Sequence, residues 1–166
     1  MIVICNPNNP TGARLTAAEL DGIARVADKH GAWILSDEVY RGAELDGVET
    51  ASMWGRSERA IITSGLSKAY GLPGLRIGWI ACRDRALLAR MERYKHYLSI
   101  CNSAPSEVLA EIALKARETL VARNRGLVIE NLKRLDAFFA RFGSRFQWKA
   151  PKGGCVAFPR YLGSEG

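Results

Sequence analysis

The chain predicts an α/β fold with a mostly parallel sheet and flanking helices, on three observations. A strand, a helix and a second strand follow one another within the first 36 residues. Two more apolar runs, at 60–64 and 76–82, read as further strands. From about residue 84 to 142 apolar side chains recur at helical spacing, which supplies helices to lie against a sheet.

Taken in order, IVIC (2–5) is a short apolar strand that ends on the turn-forming run NPNNPTG. Thr16 and Glu19 have the spacing of a capping box, in which each side chain satisfies a free backbone N–H of the first helical turn. Leu20, Ile23, Ala24 and Ala27 then form one apolar stripe, and Gly31 is placed to end the helix. AWILS (32–36) is a second buried strand. Strand, helix and strand at this spacing make a βαβ unit, so the two strands should run parallel with a right-handed crossover.

Residues 37–59 read as irregular, AIITS (60–64) as a third strand, 65–75 as a glycine-containing loop and Arg76 to Cys82 as a fourth strand. Asp84 is placed to cap a helix running to about Tyr97, and Ser106 to cap another with Leu109, Ile112 and Ala113 facing a core. A longer helix is expected over about 119–142. FQWKAPKGGCVAF, at 146–158, reads as a turn between two strands.

Bulk properties exclude more than they identify. With 166 residues, 48% hydrophobic, the chain can build a domain-sized core, yet no apolar run approaches the length of a membrane span. The net charge of +7 comes largely from late Lys and Arg interleaved with Glu118, Glu130 and Asp136, the pattern of a solvated helix face and not of a nucleic-acid stripe. Cys5, Cys82, Cys101 and Cys155 are far apart and lack metal-ligand spacing, so reduced thiols and a cytoplasmic location are expected.

Chemistry concentrates in NPNNPTG (6–12), SDEVYR (36–41) and SGLSKAYGLPGLRIGW (64–79), each following an apolar strand. In open α/β sheets ligands bind beyond the carboxyl ends of the strands, and Asn9, Asp37 and Lys68 all fall within four residues of such an end. Lys68 offers an amine for an imine with an aldehyde cofactor, among the small neighbours Ser67, Ala69 and Gly71. Asp37 offers a carboxylate that would keep a pyridine nitrogen protonated. Tyr40 and Asn9 offer donors to a ring oxygen. Arg76 offers a guanidinium for a phosphate, with Ser67 adding a hydroxyl. Each residue also has an ordinary reading: a surface lysine, a turn-opening Asp, an Asn set by turn chemistry, a half-buried tyrosine. Order and spacing, not any single residue, single out a pyridoxal 5′-phosphate (PLP) site.

In these motifs the chain resembles the fold-type I PLP enzymes, specifically the class I/II aminotransferases. Their pattern is Asn-Pro-x-x-Pro-Thr-Gly, then Asp-x-x-Tyr at the next strand end, then Ser-Lys followed eight residues after the lysine by Arg and x-Gly. Here it stands as NPNNPTG, Asp37 to Tyr40, and Ser67-Lys68 with Arg76-Ile77-Gly78. The resemblance implies that Lys68 is the Schiff-base lysine, that Asn9 and Tyr40 bind O3′, that Asp37 pairs with the ring nitrogen, and that Ser67 and Arg76 hold the phosphate. It implies a three-layer fold with part of a large PLP-binding domain at 1–122. An interdomain helix and the start of a small α+β C-terminal domain would follow at 123–166. Amino-acid and 2-oxo-acid substrates and a homodimer follow from it too, with no nucleic acid and no membrane as partners.

The family often has Ser or Thr three residues before the lysine, where this chain has Gly65, with Ser64 one position earlier. The family's glycine-containing phosphate loop, ring-stacking aromatic and substrate-carboxylate arginine are not found in these residues. A piece of a larger enzyme, inactive alone, is therefore expected. Elimination, decarboxylation or oxidation on the same cofactor, and a non-catalytic PLP-binding effector domain of a transcription regulator, remain as alternatives from the residues.

Overall fold

The computed structural model describes residues 1–163. Its elements are β1 (Ile2–Cys5), α1 (Ala17–Lys29), β2 (Ile34–Asp37), β3 (Ala60–Gly65), a 3₁₀ turn (Pro73–Leu75), β4 (Gly78–Cys82), α2 (Arg85–Leu98), α3 (Ala104–Lys115), α4 (Arg117–Arg141), β5 (Phe146–Gln147) and β6 (Arg160–Tyr161). The main sheet has the order β1-β2-β3-β4. The first three strands are parallel, with Cys5 opposite Asp37 and Asp37 opposite Thr63. β4 runs antiparallel to β3, pairing Thr63 with Ile80 and Gly65 with Gly78.

The capping box forms as the sequence predicts. Thr16 Oγ1 accepts from the Glu19 N–H at 3.3 Å, and Glu19 Oε2 accepts from the Thr16 N–H at 2.7 Å. The Thr16 N–H and the Thr16 hydroxyl, both donating to Glu19 Oε2, hold the Glu19 carboxyl below its usual range. The helix turns Leu20, Ala24 and Ala27 onto Ile34, Met53, Ala60 and Ile62, which close the main core on one face of the sheet. Strand alternation puts Val3, Cys5, Leu35, Asp37, Ile61, Thr63 and Ile80 on the opposite face. There Val3 is 65% exposed and Ile80 48%. A second cluster, Leu66, Ala69, Tyr70, Ala110 and Ala113, packs the loop after β3 against α3.

Several boundaries differ from the sequence reading. The fourth strand begins at Gly78, because Arg76 closes the 3₁₀ turn in a left-handed conformation (φ 56°). Ser103, not Ser106, occupies the cap position of α3; Pro105 fits the first helical turn and leaves Ser106 inside the helix. The late strands are Phe146–Gln147 and Arg160–Tyr161, outside most of the run assigned to them. This hairpin is tied to the end of α4 by aromatic contacts, Phe139 meeting Phe146 at 5.5 Å between centroids and stacking on the nearby Trp148 at 4.4 Å.

Candidate active site

The three motif segments leave the sheet at one edge. β1, β2 and β3 end there, and because β4 is antiparallel it begins there, which brings Arg76 to the side where Asn9, Asp37 and Lys68 emerge. The sequence reading placed Arg76 at the head of a strand without a direction. The antiparallel pairing is what puts it at this edge.

Asn9 Nδ2 donates to the Tyr40 hydroxyl at 3.3 Å, across 31 residues of sequence. Lys68 Nζ stands over the Tyr40 ring, 5.9 Å from its centroid. Amide, phenol and amine thus meet at one place although their segments are far apart in sequence. Tyr40 is almost wholly buried, whereas Lys68 and Asn9 are exposed. Burial pushes the Tyr40 phenol above its ordinary range, reinforced by nearby Cys155, Cys5 and Asp37 and opposed by the Asn9 bond. The phenol therefore keeps its proton and remains a donor at neutral pH.

Asp37 is half-buried on the open face, and its Oδ1 accepts only a local bond, from the Val39 N–H at 3.1 Å. Its sheet neighbour Cys5 has a thiol raised chiefly by burial, and so is neutral beside the carboxylate. Ser67 is half-buried immediately before Lys68. Arg76 is exposed and donates Nη1 to the Pro73 carbonyl at 2.8 Å, which uses one nitrogen of its fork. Ser64, considered as a substitute hydroxyl, donates to the Glu38 carbonyl at 3.2 Å. Gly65 has a packing reason to be glycine: a Cβ there would lie 2.9 Å from the Ile77 carbonyl oxygen, and one on its partner Gly78 would lie 2.8 Å from the Ser64 oxygen.

Several residues that build the site escaped the sequence reading. Glu38, the acid beside Asp37, points away from the site. Its buried Oε1 accepts from Ser36 Oγ at 3.1 Å, Ser52 Oγ at 3.0 Å and the Met53 N–H at 2.9 Å. Glu44, also buried, accepts from the Gly42 and Thr50 N–H groups and shapes the loop after Tyr40. The 150–155 segment lies across both site loops: Lys152 N–H bonds the Gly12 carbonyl at 2.9 Å, and Gly154 N–H bonds the Ala43 carbonyl at 3.0 Å. Gly154 sits against the Tyr40 ring, where a Cβ would be 3.2 Å from Cδ1. The paired glycines of PKGG were the available signal for that close approach.

The aminotransferase class I and II family model matches residues 1–164. The chain belongs to the class I and II aminotransferase family. Its likeness to curated family members includes 33% identity to aromatic-amino-acid aminotransferase 2 of Thermococcus litoralis, over 96% of this chain and 41% of that protein. A probable N-succinyldiaminopimelate aminotransferase of Mycobacterium tuberculosis is 34% identical over 86% of this chain and 36% of its own length. Among solved structures, a PLP-dependent aminotransferase from Streptococcus suis superposes with a TM-score of 0.89 at 32% identity, over 99% of this chain and 43% of that one. The expected α/β fold with a mostly parallel sheet is that of the family. The chain spans about two fifths of the length of these relatives.

Proposed function

We propose that this chain carries the cofactor-bearing part of a PLP-dependent aminotransferase that moves an amino group between an amino acid and a 2-oxo acid. The observation that carries the reading is the meeting of Asn9, Tyr40 and Lys68 beyond the strand ends, with Asp37 and Arg76 on the same edge. The donor set fits the cofactor group by group: an amine, a carboxylate, two neutral donors, and a guanidinium with a hydroxyl. Both named relatives are aminotransferases, so the reaction class is what they support.

When bound, PLP supplies an aldehyde for amines and a ring that accepts electrons from the substrate Cα. In this reading Lys68 Nζ binds the cofactor and carries the proton to and from the substrate Cα. Asp37 holds a proton on the ring nitrogen. Tyr40 Oη and Asn9 Nδ2 donate to the ring oxygen, a role the raised Tyr40 pKa favours. Ser67 and Arg76 hold the phosphate.

The finer readings belong to the same proposal. Residues 1–122 are taken as part of the large domain and 123–166 as the passage into the small one. A homodimer and a cytoplasmic location complete it. The location is supported by the four cysteines, which are unpaired. Borohydride reduction of the intact protein followed by peptide mapping tests the core of the reading. The label is expected on Lys68, and Lys68→Ala is expected to abolish transamination while the fold persists, since this exposed amine packs against little. A label on another lysine refutes the assignment.

A further inference from the structure

Lys68 has an exposed side chain on a backbone that is held with unusual care. Gly71 N–H bonds the Lys68 carbonyl at 3.0 Å and Leu72 N–H bonds the Leu66 carbonyl at 3.0 Å, closing the loop on itself. Ala69 and Tyr70, the next two residues, are buried against Leu66, Ala110 and Ala113. The remaining tether is long-range. Asn124, on α4, donates Nδ2 to the Ala69 carbonyl at 3.0 Å, across 55 residues of sequence. The amide lies so close to Gly71 that a Cβ there would stand 2.7 Å from Nδ2. Gly71 itself is left-handed (φ 67°).

We propose that Asn124 is a positioning residue: through the Ala69 carbonyl it clamps the Ala69–Tyr70 peptide, one residue past Lys68, and so sets where the Lys68 amine stands relative to Tyr40. The inference rests on the reading of Lys68 as the cofactor lysine. Two features make the clamp more than loop packing. The bond grips the residue that follows the reacting lysine, so drift of that backbone is felt at the amine. It also comes from α4, the helix the sequence reading assigns to the passage between domains, so movement of that helix reaches the Lys68 loop through this bond beside the packing of Leu120 on the Ala69 and Tyr70 cluster.

The test compares Asn124→Asp with Asn124→Ala in the intact protein. Asp keeps the shape of Asn but sets a carboxylate oxygen against the Ala69 carbonyl oxygen. Ala removes the bond and leaves the carbonyl to water. A clamp makes Asp the worse variant; a residue that only fills space beside Gly71 makes Ala the worse one. The first readout needs no cofactor. Cleavage of the apoprotein after Lys68 by a lysine-specific protease follows the open population of the loop. It is expected to rise about fivefold to tenfold in Asn124→Asp and less in Asn124→Ala. The second is the pH midpoint of the cofactor absorbance in the loaded protein, which is expected to move further in Asp than in Ala.

Cleavage and midpoint unchanged in both variants overturn the proposal, and so does the reverse order. If Asn124→Asp does not fold, Asn124→Gln replaces it. Gln keeps a donor on a longer arm and must resist cleavage after Lys68 better than Ala does; equal cleavage overturns the clamp. A wild-type protein whose borohydride label falls on another lysine overturns the functional reading and this inference together, and that result is visible before any Asn124 variant is made.

Discussion

Asp37 and Glu38 are adjacent acids that serve opposite faces of one sheet. Glu38 turns toward the face that α1 covers, where its carboxylate is buried and accepts from two serines and a backbone N–H. Asp37 turns toward the open face, where its carboxylate holds one local bond. The contrast extends to other residues of the sheet, although Ile61 on the Asp37 face is buried. On one side Leu20, Ala27, Ile34 and Met53 have no exposed surface. On the other Val3 is 65% exposed and Ile80 48%, and α2 contributes no buried residue at all. One face is spent on stability, and the candidate chemistry stands on the face that is left open.

The largest expected effect breaks the comparison on its structural side. Glu38→Ala strands three donors in a closed core, each loss being about 1–3 kcal/mol. A stability loss of about 4 kcal/mol is expected in denaturant unfolding of the intact protein, with Glu38→Gln clearly milder because it keeps an acceptor. A loss below 1 kcal/mol in Glu38→Ala would mean that water reaches those donors and that this face is not closed.

Asp37→Ala should do the reverse. Removing a preorganised charge from the ring nitrogen is expected to cost about 3–4 kcal/mol in the transition state, read as a hundred- to thousandfold fall in kcat of about that size. Stability should change by less than about 1 kcal/mol, since only the bond from the Val39 N–H is lost. Near-normal turnover in Asp37→Ala would remove this residue from the site.

A third change tests the seam between β3 and β4. The family pattern that the sequence resembles has Ser or Thr three residues before the lysine, which makes Gly65→Ser look like a repair of the phosphate site; the packing argues for damage. A Cβ at 2.9 Å from the Ile77 oxygen forces the two strands apart just before Lys68. A stability loss of about 1–3 kcal/mol is expected, with weaker cofactor binding by fluorescence titration. Tighter binding with unchanged stability would show that the seam yields.

The elements legible in the sequence were those set by near neighbours. The α1 capping box, its apolar stripe and the parallel β1–β2 pair need only local spacing, and they stand where expected. Lys68, Tyr40 and Asn9 were legible as a set because each follows a strand end, and the structure brings these three together. What the sequence hid depends on distant partners. The direction of β4 is decided by the turn at Pro73–Leu75, where Arg76 takes a left-handed conformation that residue type does not announce. Residue type and local spacing do not single out Asn124 or Glu38, because their partners lie 55 and up to 15 residues away. The α3 cap was legible and misread: Pro105 belongs in a first turn, which points back to Ser103.

The smallest expected effect sharpens the open side. Tyr97, near the end of α2, is 91% exposed. Ser has nearly the same helix propensity as Tyr, so Tyr97→Ser changes neither the helix nor a packed contact within the chain. Unfolding of the intact protein at high dilution should therefore differ from wild type by less than about 0.5 kcal/mol. Repeating the measurement at higher protein concentration gives the result its meaning. A difference that stays small shows that α2 faces water in the assembled protein, so any contact between copies of the proposed homodimer lies elsewhere. A loss that grows with concentration means that Tyr97 is buried only when two copies meet. In that case the open face is completed by association, in the way that the opposite face is completed by α1.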